Sequence, residues 1–330
     1  LNERSRNGRI QIDSYLTRAH ERSLARDVHE GLTRAFKEIP PKHFYDRRGS
    51  ELFERITELP EYYLTRSERE ILSEQADEIV AATEVGDLVE LGSGSAEKAR
   101  ILLDGMREAG TLGRYVPVDV SEQALRSAAD ELATEYERLQ IHGVVADFER
   151  QLDRVPSRNG DRRVVALLGS TIGNFRPRSR RALLRRIRAL LSVSDRLLLG
   201  ADLVKDRAVL EAAYNDSEGV TAEFNRNVLH VMNRDLGADF DPRQFDHVAF
   251  FDRHREWIDI RLRARTAMTV RIARLDLEVE FATHEDLRTE ISAKFTRKRL
   301  EEDLATAGLR ITEWFTDRRA RFILLLAAPI

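Results

Sequence analysis

The residues best suited to chemistry stand at the ends of short apolar runs. Glu90-Leu-Gly92-Ser-Gly94-Ser-Ala-Glu97 follows the first run and offers two glycines where backbone can approach a ligand. A dinucleotide fingerprint needs a small residue at the last position of G-x-G-x-x-G/A, so that helix and strand close around a pyrophosphate. Glu97 is bulky and anionic there, which points away from NAD and toward a cofactor with a cationic or zwitterionic centre. Asp119 ends the second run and can accept both hydroxyls of a ribose. Asp147-Phe148 ends the third, joining a carboxylate that can accept from an exocyclic amine to a ring that can stack on a base. Each aspartate could equally be a helix N-cap, but three such ends in register favour a nucleotide-bearing cofactor. The fourth run ends in Leu168-Gly-Ser-Thr-Ile-Gly-Asn174-Phe, where Asn174 brings both a donor and an acceptor. A plain turn loop would read the same way.

Such residues need a frame. Runs at 87–91, 115–120, 142–147, 163–168 and 196–203 read as short buried strands, with amphipathic helices at 97–109, around Leu125, Ala128 and Leu132, and at 177–191. That alternation predicts an α/β fold, a doubly wound Rossmann-like sheet. Upstream, the spacing predicts helices over 14–38, 51–56 and 67–82; Pro40-Pro41 stops the first. After Asp202 the rhythm breaks. Residues 206–232 read as helix, and 248–251, 256–265, 267–271 and 277–281 as half-buried antiparallel strands. Helix 296–307 and a hairpin of 309–316 with 322–328 could return to the first sheet. The expected division is a cofactor-binding domain of 67–202 and 295–330, and a second, mixed α+β substrate domain of 14–66 and 203–294.

Composition narrows the classes. The 330 residues carry 54 basic and 57 acidic side chains, so a net charge of −3 gives no general electrostatic case for nucleic acid or an anionic membrane. Only six of the basic residues are lysine. With no cysteine, disulfides, thiolate metal sites and a cysteine nucleophile are excluded. The histidines show no ligand spacing with a carboxylate, and Asp239-Phe-Asp241-Pro is too short for a calcium loop, so no metal is expected. The apolar run 322–330 falls far short of the ~20 residues of a membrane helix, and no leader pattern precedes Glu3, Arg4 and Arg6. A cytoplasmic monomer is expected. The arginine-rich helix at 177–191 has an apolar stripe of Leu183, Leu184, Ile187, Leu190 and Leu191, so its arginines are read as a solvated outer face.

Several motifs together carry a resemblance. Pro41-Lys-His-Phe-Tyr45-Asp, Leu59-Pro-Glu-Tyr62-Tyr63, Glu90-Leu-Gly-Ser-Gly94, Leu168-Gly-Ser-Thr-Ile-Gly-Asn174, Gly219-Val-Thr-Ala-Glu-Phe-Asn-Arg-Asn227 and Thr289-Glu-Ile-Ser292-Ala-Lys-Phe295 resemble the L-histidine Nα-methyltransferases of ergothioneine biosynthesis, from about residue 14 onward. The resemblance implies three successive methyl transfers from S-adenosylmethionine to the α-amine of histidine, giving hercynine and S-adenosylhomocysteine. It places Gly92, Gly94 and Lys98 around the methionine end of the cofactor, Asp119 on the ribose, and Asp147 with Phe148 at the adenine. Asn174 and Tyr214 would position the amino-carboxylate end of the substrate; Tyr62, Glu290 and Ser292 would address the imidazole, with Tyr45 nearby. Tyr45 and water are both candidates for taking the amine proton. Tyr45, Tyr62, Tyr63, Tyr214 and Phe148 could hold a growing ammonium by cation–π contact. Ile260 stands where relatives carry methionine beside the substrate ring, keeping an apolar wall of different shape. Ala293 stands where relatives often carry cysteine, away from the substrate. The same fold acting on another aromatic amino acid such as tryptophan, or a non-catalytic sensor of the cofactor, are the rival readings. Glu290 speaks against an indole, which would leave its carboxylate less well satisfied, or else it pairs with Arg288 as a surface ion pair.

Overall fold

In the computed structural model, which describes residues 2–4, 8–16, 19–157 and 160–330, the chain opens with β1 (Asn2–Arg4), β2 (Ile10–Ser14), α1 (Ala19–Leu32), β3 (Lys37–Glu38), α2 (Arg47–Glu58) and α3 (Tyr63–Thr83). There follow β4 (Val85–Leu91), α4 (Glu97–Glu108), β5 (Arg114–Asp119), α5 (Glu122–Glu135), β6 (Gln140–Val145), α6 (Phe148–Gln151), β7 (Arg162–Leu167), α7 (Pro177–Ala189) and β8 (Arg196–Asp202). Next come α8 (Arg207–Ala212), α9 (Val220–Leu236), β9 (Phe245–Asp252), β10 (Trp257–Ala264), β11 (Met268–Ile272), β12 (Leu277–Phe281) and β13 (Asp286–Ala293). The last elements are α10 (Arg297–Thr306), β14 (Leu309–Thr316) and β15 (Phe322–Pro329).

These elements form two compact units, one of Leu1–Thr17, Leu64–Val204 and Phe295–Ile330, the other of Arg18–Tyr63 and Lys205–Lys294. Among the described residues the first unit builds a nine-stranded sheet of order β1-β2-β6-β5-β4-β7-β8-β15-β14. The run from β2 to β8 is parallel, while β15 joins β8 antiparallel and β14 joins β15 antiparallel. All seven residues of β4 and all eight of β15 are buried, as strands covered on both faces must be. This is the expected doubly wound sheet, with the late hairpin returned to it.

The second unit holds a four-stranded sheet of order β3-β13-β10-β9 and a separate β11–β12 ribbon. Strands β9, β10 and β13 pair antiparallel, and α9 supplies an apolar face of Val220, Phe224, Val228, Leu229 and Met232.

Four expectations need correction. The helix over 14–38 shrinks to α1, with positions 17–18 outside the described residues. Upstream, Ile10-Gln-Ile-Asp alternates and pairs in parallel with β6, where Ile12 packs on Leu125 and Val145; the first unit reaches to Thr17 and so takes residues 14–17, expected in the second. The helix over 206–232 is two helices. Gly219 at φ +74° separates them, and Asp216 caps the second by accepting from the Val220 and Thr221 amides at 2.7 and 2.8 Å. Strand β13, absent from the sequence-based reading, occupies 286–293. Finally, the arginines of α7 are not all an outer face. Arg180 is buried, paired with Asp303 of α10 at 2.6 Å and stacked on Phe295.

Candidate functional site

In the first unit the strand order switches between β4 and β7, with β5 and β6 added on one side of β4 and β7 and β8 on the other, and in open α/β sheets ligands gather beyond the carboxyl ends of the strands at that switch. The β4–α4 turn supplies Gly92 at φ +76° and Gly94 at φ +50°, left-handed values that favour glycine. A Cβ on Gly94 would meet nothing within 4 Å, and one on Gly92 only the Phe148 ring at 3.8 Å. Asp119 fixes this turn. Its Oδ2 accepts from the Gly94 amide at 2.9 Å and its Oδ1 from the Ser121 amide at 2.8 Å, leaving further lone pairs for a ligand. Burial raises its carboxyl above the usual range, against those amides. Asp147 is an N-cap, accepting from the Glu149 amide at 2.9 Å, and Phe148 contacts the Phe175 ring edge-on at 6.5 Å.

Lys98, in the first turn of α4, donates to Glu68 at 2.6 Å. Glu68 is fully buried and also accepts from the Gly169 amide at 2.7 Å, joining α3, α4 and the loop after β7. Sequence reasoning missed it, although a charge on the buried stripe of Leu64, Ile71 and Leu72 was a visible signal. Glu90, at the end of β4, is buried and accepts from the Tyr115 hydroxyl at 2.5 Å. Desolvation pushes it up to about 7, although Tyr115 and Lys98 pull it down, and burial with Glu90 beside it drives the Tyr115 phenol well above its usual value. Asn174 ends the short turn Thr171–Asn174, and its side chain makes no hydrogen bond with the described residues. Glu97 points outward to Arg69 at 2.5 Å.

This half suits an adenosyl sulfonium. The Ser93 hydroxyl is buried without a hydrogen-bond partner among the described residues, the space over Gly94 is open, and one ammonium and two carboxylates flank the turn. Among the described residues no group of three or more His, Asp or Glu could hold a metal ion, and no helix is long and apolar enough to cross a membrane.

In the second unit β13 carries the specificity candidates. Glu290, Ser292 and Lys294 follow the strand at two-residue spacing and so share a face. Ile260 on β10 lies directly opposite Glu290 and Ile258 opposite Ser292, which sets buried Ile260 beside the acid. The Glu290 carboxyl makes no hydrogen bond or ion pair with the described residues. Arg288 is engaged elsewhere, on Asp259 at 2.6 Å, so the surface-pair alternative is not what forms. Desolvation pushes Glu290 up to about 7, with Lys294 pulling the other way.

Tyr214 follows α8. Its hydroxyl lies 2.8 Å from the Ser292 hydroxyl and accepts from Lys294 at 2.9 Å. Its carbonyl is held by His247 Nε2 at 2.8 Å, while His247 Nδ1 faces the Asn225 amide at 2.8 Å. Burial keeps that imidazole below its usual pKa. Glu61 accepts from the Ser217 amide and hydroxyl at 3.2 and 2.9 Å, tying the turn that bears Tyr62 to the loop after Tyr214. The two tyrosine rings meet edge-on at 6.1 Å. Tyr45 reaches the same aromatic cluster through Phe53, at 5.6 Å from Tyr45 and 6.3 Å from Tyr62. Tyr62, Tyr214, Ser292, Glu290 and Ile260 are thus brought together, with Tyr45 one ring removed. Lys294 and Phe53 were not singled out from sequence. The strand period through 286–293 would have placed Lys294 beside Ser292.

A family model described as histidine-specific methyltransferase, SAM-dependent, matches residues 24–329. The chain is 52% identical over 305 residues to histidine N-alpha-methyltransferase of Mycolicibacterium smegmatis, covering 92% of this chain and 94% of that one. It is 46% identical to the Mycobacterium tuberculosis protein of the same name, covering 97% and 99%. Ergothioneine biosynthesis protein 1 of Neurospora crassa is 30% identical across 84% of this chain and 32% of its own length. Among solved structures, an S-adenosylmethionine-dependent methyltransferase from Clostridium acetobutylicum aligns at a TM-score of 0.46 and 11% identity, covering 84% of this chain and 97% of that one. On the family match and these identities, the chain belongs to the histidine-specific, S-adenosylmethionine-dependent methyltransferases.

Proposed function

We propose that this protein methylates the α-amine of L-histidine three times, using S-adenosylmethionine, to give hercynine for ergothioneine biosynthesis. The observation that carries the choice of histidine is Glu290. It is a desolvated carboxyl with no hydrogen-bond donor among the described residues, beside the Ile260 wall and on one strand face with Ser292. An imidazole N–H supplies the missing donor; a larger indole must be fitted against the same wall.

When bound, S-adenosylmethionine supplies an electrophilic methyl group on a sulfonium. Lys98 takes its carboxylate, Gly92 and Gly94 let backbone approach its methionine end, Asp119 holds the ribose, and Asp147 with Phe148 receives the adenine. Asn174 and Tyr214 position the amino-carboxylate end of histidine, and Tyr62, Ser292 and Glu290 its ring. No covalent intermediate with the protein is needed. Orientation of a neutral amine in line with the methyl can supply up to about 7–11 kcal/mol of the acceleration. The first two products keep an ionisable amine and the third is a quaternary ammonium, which the faces of Tyr62 and Tyr214 can accommodate.

The test is mass spectrometry of a reaction containing the protein, S-adenosylmethionine and equal histidine, tryptophan and tyrosine. Trimethylated histidine as the sole product is expected. Methylated tryptophan or tyrosine would overturn the role of Glu290. Cofactor binding without any product would leave a sensor. Light scattering after size exclusion tests the expected monomer of 37.9 kDa.

A further inference from the structure

Residues two apart on a regular strand share a face. Arg288 and Glu290 do not. Glu290 lies opposite Ile260 and Ser292 opposite Ile258, whereas Arg288 lies opposite Arg261 and Asp286 opposite Arg263. Directly opposite residues of an antiparallel pair point to the same side, and the neighbours Ile260 and Arg261 point to opposite sides. The pairing therefore skips Thr289, which is the extra residue of a β-bulge and turns Arg288 to one face of the sheet and Glu290 to the other. A strand continued without the bulge from the Arg261–Arg288 pair would set Glu290 opposite Asp259, two carboxylates together on the arginine face.

That arginine face holds the bulge in place. Asp259 has no solvent exposure and accepts four hydrogen bonds from two guanidiniums. Arg261 donates from Nε and Nη2 at 2.7 and 3.0 Å, and Arg288 from Nε and Nη2 at 3.0 and 2.6 Å. One fork comes from each strand, and the two close on either side of the register shift. Both guanidiniums also lie against the Phe36 ring, at 5.3 and 4.5 Å from its centre. The Thr289 hydroxyl donates to the Ile260 carbonyl at 3.2 Å, fastening the extra residue across the strands. A slip in register would strip a fork from a buried carboxylate, which is costly. We infer that Asp259, through Arg261 and Arg288, is a specificity-determining positioning residue: it locks the bulge at Thr289 and thereby turns Glu290 toward the ring of the methyl acceptor. The inference rests on the histidine-methylation reading for the identity of that ring and deepens it.

The experiment is titration calorimetry of histidine in the wild type, Asp259→Asn, Glu290→Gln and the double variant, with thermal melting as a folding control. An asparagine keeps the shape of Asp259 but turns a donor toward a guanidinium that also only donates. Asp259→Asn should weaken histidine at least about tenfold. Glu290→Gln should do the same in the wild type, yet cost less than about twofold where Asp259 is already replaced. A second readout needs no histidine. Replacing Glu290 should alter the change in stability between pH 5.5 and 8.5 in the wild type and leave it unaltered in Asp259→Asn. Burial raises the Asp259 carboxyl, but its two arginines outweigh that and hold it below the usual range, so its own titration lies outside this interval. A Glu290→Gln effect of the same size in both backgrounds, by either readout, would mark a merely structural role for Asp259 and overturn the inference. If Asp259→Asn does not fold, Arg288→Lys keeps the charge and loses the fork, and an undiminished Glu290→Gln effect there overturns it equally. A wild type that binds no histidine, with the pH readout as expected, would overturn the functional reading and leave the lock on Glu290 standing.

Discussion

Replacing Glu290 by glutamine keeps the shape of the side chain and removes its titration. In the wild type, desolvation holds that carboxyl at about 7 in place of 4.5, against the pull of Lys294. An acid whose pKa rises on folding favours the folded state while it is protonated. Its contribution is complete below about 4.5 and is lost as pH rises through about 7. The full displacement corresponds to roughly 3 kcal/mol, of which linkage assigns roughly 2 kcal/mol to the interval between pH 5.5 and 8.5. The assay is urea unfolding of both proteins at those two pH values, followed by circular dichroism and compared as differences. On passing from pH 5.5 to 8.5 the wild type should lose roughly 2 kcal/mol more than Glu290→Gln. Saturating histidine should shrink that excess, because an imidazole N–H donated to the carboxylate favours the ionised form. Equal losses in the two proteins would refute the reasoning, since a carboxyl without this dependence is either solvated or already satisfied.

Three further outcomes follow from the first unit. Asp119→Asn should weaken S-adenosylhomocysteine binding by about 10–100-fold in titration calorimetry, since the charged acceptor proposed for the ribose is lost along with one amide contact to the turn; unchanged affinity would confine Asp119 to a structural role. Gly94→Ala should cost about 1–2 kcal/mol of stability from its left-handed backbone, and should weaken the same ligand at least about tenfold, because the new Cβ projects into the open space over the turn. Arg180→Met should destabilise by about 3–5 kcal/mol through the buried Asp303 it abandons, and Arg180→Met with Asp303→Leu should recover part of that loss in denaturant unfolding.

The first unit was largely legible because each of its signals is local. Buried strands such as 163–168 are short and apolar, glycines punctuate the turns, and aspartates stand at the strand ends, so the topology could be read from them and a cofactor turn expected there. What escaped depends on partners distant in sequence. Ile10-Gln-Ile-Asp becomes a strand only because β6 offers an edge to it. Arg180 turns inward because Asp303, far along the chain, meets it. Strand β13 was hidden by its charges: Asp286, Arg288 and Glu290 alternate with Leu287, Thr289 and Ile291, and a β-bulge between Ile260 and Arg261 shifts the pairing register. The motif around Glu290 was therefore recognised before the element that carries it, and Lys294 was overlooked although it lies within that motif.

The strand order has a consequence for how the molecule is made. Among the described residues strand β15 alone joins β14 to the rest of the large sheet, and it follows every other strand of that sheet in sequence, yet it lies inside the sheet rather than at its edge. Until residues 322–329 emerge from the ribosome, β8 has an open side and β14 has nothing to pair with. The second unit needs nothing beyond Lys294. At about 5–20 residues per second its sequence is complete a few seconds before that of its neighbour. The unit whose residues are translated first is the one finished last. During that interval the nascent chain displays one unpaired edge of β8, with its apolar run Leu197 to Leu199, so slowed translation after residue 294 should raise the demand for chaperones more than slowed translation before it.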